Sequence, residues 1–102
     1  MVNYTEAVQQ KRSIRFTYDG LERVVIPTAH GLHASTGKEM IRGFQTEGWT
    51  HSPEAPTPWR LFTVSKIFDA NLTDDVAPNA PEGYRVGDTH LSPIYAEFGL
   101  VP

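Results

Sequence analysis

No cysteine occurs among the 102 residues, which excludes disulfides, thiolate metal centres, iron–sulfur clusters and a cysteine nucleophile. Long apolar runs are missing too. The longest aliphatic stretch is Val24-Val25-Ile26, far short of the roughly 20 residues of a membrane-spanning helix. Residues 1–6 carry neither the basic start nor the apolar middle of a secretion signal, so a cytoplasmic protein without membrane association is expected. An excess of positive charge is also absent. Nine Lys and Arg stand against twelve Asp and Glu, and a formal net charge of −3 argues against coating nucleic acid by bulk attraction. A chain this size buries roughly 65% of the surface of its unfolded form, enough for one modest core.

The charge that is present is unevenly placed. Residues 1–66 hold eight bases against six acids, whereas residues 67–102 hold Arg85 against six acids. Two readings follow: a basic surface that meets an anion and is screened by an acidic tail, or an ordinary solvated surface with chance asymmetry.

Residues 3–11 predict a short helix. Asn3 with Glu6 resembles a capping box, and Tyr4, Ala7, Val8 and Lys11 fall on one helical face. Such a short helix is unstable alone in water and has to dock. The period then changes: Ile14, Phe16 and Tyr18 alternate with Arg15 and Thr17, the pattern of a strand with one buried face. Asp19-Gly20 predicts a tight hairpin turn, since both positions tolerate positive φ. The return strand over 21–26 is expected to end at Pro27, which lacks a donor. Further strands are expected over 30–34 and 39–45, the latter with Met40, Arg42 and Phe44 on one side and Ile41 and Gly43 on the other.

Gly48, Pro53, Pro56 and Pro58 make 47–58 a loop, flanked by Trp49 and Trp59. This loop reads either as a peptide-binding rim or as a stiffened connection with Trp59 plugging the end of a barrel. Strand character returns over 59–67, and 68–72 extends it or forms an edge strand. Over 92–98, Ser92 as cap and Pro93 at the first position predict one or two helical turns. A helix, about five short strands and an irregular tail predict a mainly β chain. Its expected form is a small bent barrel over residues 1–76 with an extension, residues 77–102, packed on it, since closure removes exposed edges.

Three stretches, taken in order, resemble the WYL domain family. They are Ser13-Ile14-Arg15-Phe16-Thr17-Tyr18-Asp19-Gly20 with Arg23-Val24-Val25-Ile26-Pro27, then Glu39-Met40-Ile41-Arg42-Gly43-Phe44, then Trp59-Arg60-Leu61-Phe62-Thr63-Val64-Ser65-Lys66-Ile67. The match spans about residues 4–72. Glu39, Met40 and Ile41 stand where the family carries its naming Trp-Tyr-Leu, and Lys66 stands where it carries an arginine. The resemblance implies an SH3-like or Sm-like five-stranded barrel that senses a ligand, commonly a nucleotide or single-stranded nucleic acid, in transcription regulation. The family's DNA-binding winged helix has no counterpart here, so a separate DNA-binding protein is the implied partner.

Carried over position by position, the implied ligand site is Tyr18, Arg23, Arg42, Arg60 and Lys66, with His30 nearby. Guanidinium groups offer paired donors to phosphate oxygens, and a tyrosine stacks or donates. Against this, exposed arginines beside Glu22, Glu39 and Glu47 form pairs of little consequence. The competing function is a protein-interaction or homo-oligomerisation module that pairs through an exposed strand edge, joined by Met40 and Phe44 if they face outward. Residues 69–88 offer an acidic segment that folds across the basic strands. No catalytic residue, cofactor or metal site is expected. His30 and His33 are offset by an odd number along a strand, and no serine lies in a nucleophile motif. An enzyme would instead need His30 or His90 beside a carboxylate in an apolar cleft.

Overall fold

The computed structural model describes residues 2–48, 59–77 and 79–98. Helix α1 (Tyr4–Gln10) starts where the Asn3 side chain accepts a hydrogen bond from the Glu6 amide at 3.0 Å. It stops at Lys11, whose left-handed backbone (φ 59°) turns its amide back to the carbonyls of Ala7 and Val8. Ala7 and Val8 are buried, which is the docking that so short a helix requires.

Strands β1 (Arg12–Tyr18) and β2 (Leu21–His33) form the expected hairpin. Asp19 and Gly20 both have positive φ, 53° and 75°, and Tyr18 pairs with Leu21. Strand β2 corrects the expectation at Pro27, because it continues through the proline instead of ending there. The missing donor is absorbed by a register shift between Pro27 and Ala29 against β3 (Glu39–Gly48). The strands expected separately over 21–26 and 30–34 are therefore one. The expected loop lies outside the described residues from 49 onward, so the reading of Trp49 and Pro53, Pro56 and Pro58 does too.

Next come β4 (Trp59–Thr63), a 3₁₀ turn at Val64–Lys66, and β5 (Phe68–Val76). The final segment is not a helix but β6 (Leu91–Glu97). The second half of β2 presents an open edge, and Ala29, His30, Gly31 and His33 pair with Glu97, Ala96, Ile94 and Leu91. The ladder outweighs the local capping signal of Ser92-Pro93. Gly31 is what lets β6 approach, since a Cβ there would collide with the Pro93 carbonyl oxygen.

The result is a mainly β structure with one antiparallel six-stranded sheet in the order β4-β3-β2-β1-β5, with β6 added on β2. Hydrogen bonding among the described residues does not close this sheet into a barrel. Alternation along β3 feeds two apolar clusters. Ile41 joins Ala7, Ile14, Phe16, Val25 and Phe62, where the Phe16 and Phe62 rings meet edge to face at 5.0 Å. Met40 points the other way, to Ala29 and Leu91, with Leu61 and Ile94 against them. No helix among the described residues is long and apolar enough to cross a membrane.

Gly31→Ala should cost about 1–3 kcal/mol, as overpacking against backbone does. Chemical denaturation would read the loss, and amide exchange should show it concentrated in β6.

Candidate functional site

The six positions carried over from the family resemblance do not form one wall. The two-residue period of the strands sorts them to different sides of the sheet.

Tyr18 and Arg23 come together at the end of the larger apolar cluster, and Arg60 is near enough for its charge to act on Arg23. Arg23 lies two residues before Val25 and Arg60 two before Phe62, so both stems run along that cluster. The Arg23 guanidinium sits 5.3 Å from the Tyr18 ring centroid and 5.7 Å from that of Phe62, and its Nη2 donates to the Tyr18 carbonyl at 3.3 Å. The Tyr18 hydroxyl accepts from the Thr63 amide at 3.2 Å. Arg23 is 4% exposed. Burial lowers its pKa, the charge of Asp19 opposes that shift, and the like charge of Arg60 adds to it.

Arg42 faces the other side. Its Nε donates to Asp88 Oδ2 at 2.7 Å and its Nη2 reaches Asp88 Oδ1 at 3.4 Å and His90 Nδ1 at 3.0 Å. The acidic C-terminal segment thus supplies the counter-ion of one strand arginine. Burial raises the Asp88 pKa, but the hydrogen bonds from Arg42 and the His90 amide outweigh it, and the carboxyl is held below its ordinary value.

Beside this pair lies a pocket of about 470 Å³, lined among others by Arg42, Trp59, Tyr84, Arg85 and Asp88. The Trp59 and Tyr84 rings stack at 6.4 Å with 30° between planes. Trp59 Nε1 donates to the Glu82 carbonyl at 3.0 Å and the Tyr84 hydroxyl to the Phe98 carbonyl at 2.6 Å, so both rings are fixed. Burial, then the charges of Glu97 and Asp88, push the Tyr84 hydroxyl up to about 12. Arg85 is exposed on the pocket lining, without an ion pair among the described residues.

His30 belongs to neither group. Its Nδ1 lies 2.7 Å from Thr5 Oγ1 and its Nε2 2.6 Å from Glu39 Oε2, which ties α1 to the sheet. The carboxylate an enzyme would need is present, but His30 does not line the pocket. Glu39 therefore serves a histidine and not an arginine. Lys66 is exposed on the 3₁₀ turn, with no hydrogen bond or ion pair to the other five among the described residues.

Sequence reasoning singled out Arg42 and Trp59 but missed Tyr84 and Arg85 as pocket residues. Asp88 was visible as part of the acidic segment, not as the partner of Arg42. Comparison with protein-family models, curated proteins and solved structures finds no match for the chain.

Asp88→Asn should destabilise the fold by on the order of 2 kcal/mol, the scale of a hydrogen bond to a charged group. Because the Asp88 carboxyl is held low in the folded state, its stabilisation is complete above the unfolded value near 3.9. It is lost as pH falls through the folded value. Denaturation at pH 7 and pH 3 should therefore show wild type and variant converging in acid.

Proposed function

We propose that this protein is a non-enzymatic ligand-sensing module that binds a nucleotide, free or as part of a single-stranded nucleic acid. The carrying observation is the pocket that gathers two aromatic rings and two guanidinium groups, Trp59, Tyr84, Arg42 and Arg85. Aromatic faces accept any base, and guanidinium groups supply charge-assisted donors to phosphate. In this reading the site moves away from the common basic strand face. Arg42 is retained, Arg85 joins it, and the base rests against Trp59 and Tyr84.

We place the chain with the small SH3-like or Sm-like barrels of WYL type. Strand order supports this. A flat path from β4 to β5 would span about 19 Å at the usual strand spacing, yet the two strands are joined only by Val64–Lys66 and Ile67. A link that short favours a curled sheet. A separate DNA-binding protein is the partner this reading calls for, and the cytoplasm is its compartment.

Titration with nucleoside monophosphates and short oligonucleotides at low salt, followed by tryptophan fluorescence, tests the proposal. Saturable binding should weaken with salt, at a logarithmic slope of about −0.7 per phosphate neutralised. Arg85→Ala should weaken it about tenfold, the loss of one charge-assisted contact, and Lys66→Ala should leave it unchanged. No saturation at low salt, or full binding by both Arg42→Ala and Arg85→Ala, would overturn the reading.

A second reading has its own observation. Strand β5 pairs with β1 alone among the described residues, and Phe68 and Val76 near its ends are 62% and 59% exposed. An interaction module pairing through this edge should give a dimer in light scattering that Phe68→Ser dissociates.

A further inference from the structure

One ring nitrogen stands between the two halves of the ion pair beside the pocket. His90 Nδ1 lies 3.0 Å from Arg42 Nη2 and 3.4 Å from Asp88 Oδ1. The backbone holds the ring there. The His90 amide donates to the same Asp88 oxygen at 2.9 Å, and the His90 carbonyl accepts from the Ala34 amide at 2.8 Å. Arg42 and Asp88 line the pocket and His90 does not, so His90 acts on a ligand only through them.

A guanidinium has donors alone and an ionised carboxylate has acceptors alone. The shorter contact, to Arg42, needs Nδ1 as acceptor, which a neutral ring provides when its proton sits on Nε2. A proton on Nδ1 reverses the arrangement. The charged ring repels the guanidinium, accepts nothing from it, and finds its partner in Asp88 Oδ1. Arg42 then loses one acceptor at Nη2 and shares its counter-ion with a second cation. Burial and the bonds to Arg42 and His90 leave the Asp88 carboxyl below its ordinary value, so it stays ionised between pH 5 and 8, where histidine changes charge. The other titratable group facing His90 among the described residues is His33 on β2, its ring centroid 6.4 Å away. Its Nδ1 accepts from the Ser35 amide at 3.2 Å and makes no bond to Arg42 or Asp88.

We propose that His90 is a positioning residue that, on gaining a proton, passes from Arg42 to Asp88 and releases the Arg42 guanidinium to an anion in the pocket. Binding therefore tightens as pH falls. Its effect on a ligand rests on the reading of the pocket as a nucleotide site; the exchange of partners stands without that reading.

Two measurements on the full chain separate the two. In the free protein, ¹⁵N NMR of the histidine rings should show neutral His90 with its proton on Nε2, and the Arg42 side-chain signals should move as His90 titrates. A neutral ring protonated on Nδ1, or Arg42 signals that ignore the titration, would overturn the proposal whatever the pocket binds. The second measurement is binding at fixed ionic strength, with oligothymidylate lacking a terminal phosphate as the probe. Its diesters and bases keep their charge over this range, whereas a phosphate monoester titrates at about 6. Affinity should rise about threefold from pH 8 to pH 5, the scale of one exposed ion pair. His90→Gln should flatten the profile and His33→Gln should keep it. The His90 side chain is 61% exposed, so its replacement leaves the core intact. Saturable binding with one pH profile in wild type and His90→Gln refutes the switch and leaves the pocket reading standing. No saturable binding at any pH refutes the pocket reading and the pH-tuned affinity with it, and the ring measurement then decides the exchange of partners.

Discussion

The continuity of β2 through Pro27 governs the rest of the structure. One edge of this thirteen-residue strand carries β3 over nearly its whole length, from Arg23 to Leu32. The other edge carries β1 up to Val25 and β6 from Ala29 onward. The change of partner falls at the proline, where a donor is missing and the register shifts. Just beyond it, the Thr28 carbonyl accepts from the Phe98 amide at 2.7 Å, which anchors the end of β6 at the junction. A strand ending at Ile26 would leave the C-terminal segment no edge to join. The pocket would then lose the strand beneath it, and Arg42 its counter-ion.

Alternation along these strands decides where charge sits. Neighbouring residues on a strand face opposite ways, so arginines close in sequence pattern are separated by the thickness of the sheet. Arg23 and Arg60 follow Val25 and Phe62 into the larger cluster, whereas Arg42 follows Met40 to the opposite side. Neither side is equivalent chemically. On the larger cluster's side Arg23 meets the rings of Tyr18 and Phe62 and feels the opposed charges of Asp19 and Arg60. On the other side Arg42 meets a carboxylate, an imidazole and the aromatic pair of Trp59 and Tyr84.

Local features were legible from the sequence because local chemistry determines them. The Asn3 cap, the Asp19-Gly20 turn and the opposed faces of Met40 and Ile41 each follow from a few adjacent residues. Partners distant in sequence were not. Arg42 and Asp88 are 46 residues apart, and nothing in the string marks which of six acids in the tail will reach which base. The last segment was misread for a related reason. Ser92-Pro93 is a sound helix start, but β2's unpaired backbone from Ala29 to His33, which no local pattern reveals, makes a strand the better solution. The six carried-over residues were read as converging because they sit on adjacent strands, and parity along each strand separates them.

Net charge is therefore the wrong scale on which to judge what this chain binds. The tail contributes six acids, but several are used internally: Asp88 on Arg42, Glu97 accepting the Gly87 amide at 2.6 Å, and Asp74 beside Arg12. Each acid spent on a particular partner neutralises that partner and little else, because fields from paired groups fall off quickly through water and salt. What remains is a chain of net −3 whose Arg23, Arg60 and Arg85 have no carboxylate in contact among the described residues. Arg23 is buried at the end of the larger apolar cluster, Arg60 is half-buried on β4, and Arg85 lines the pocket. An arginine with no carboxylate in contact keeps its charge for a ligand, and an anion gains most by binding there.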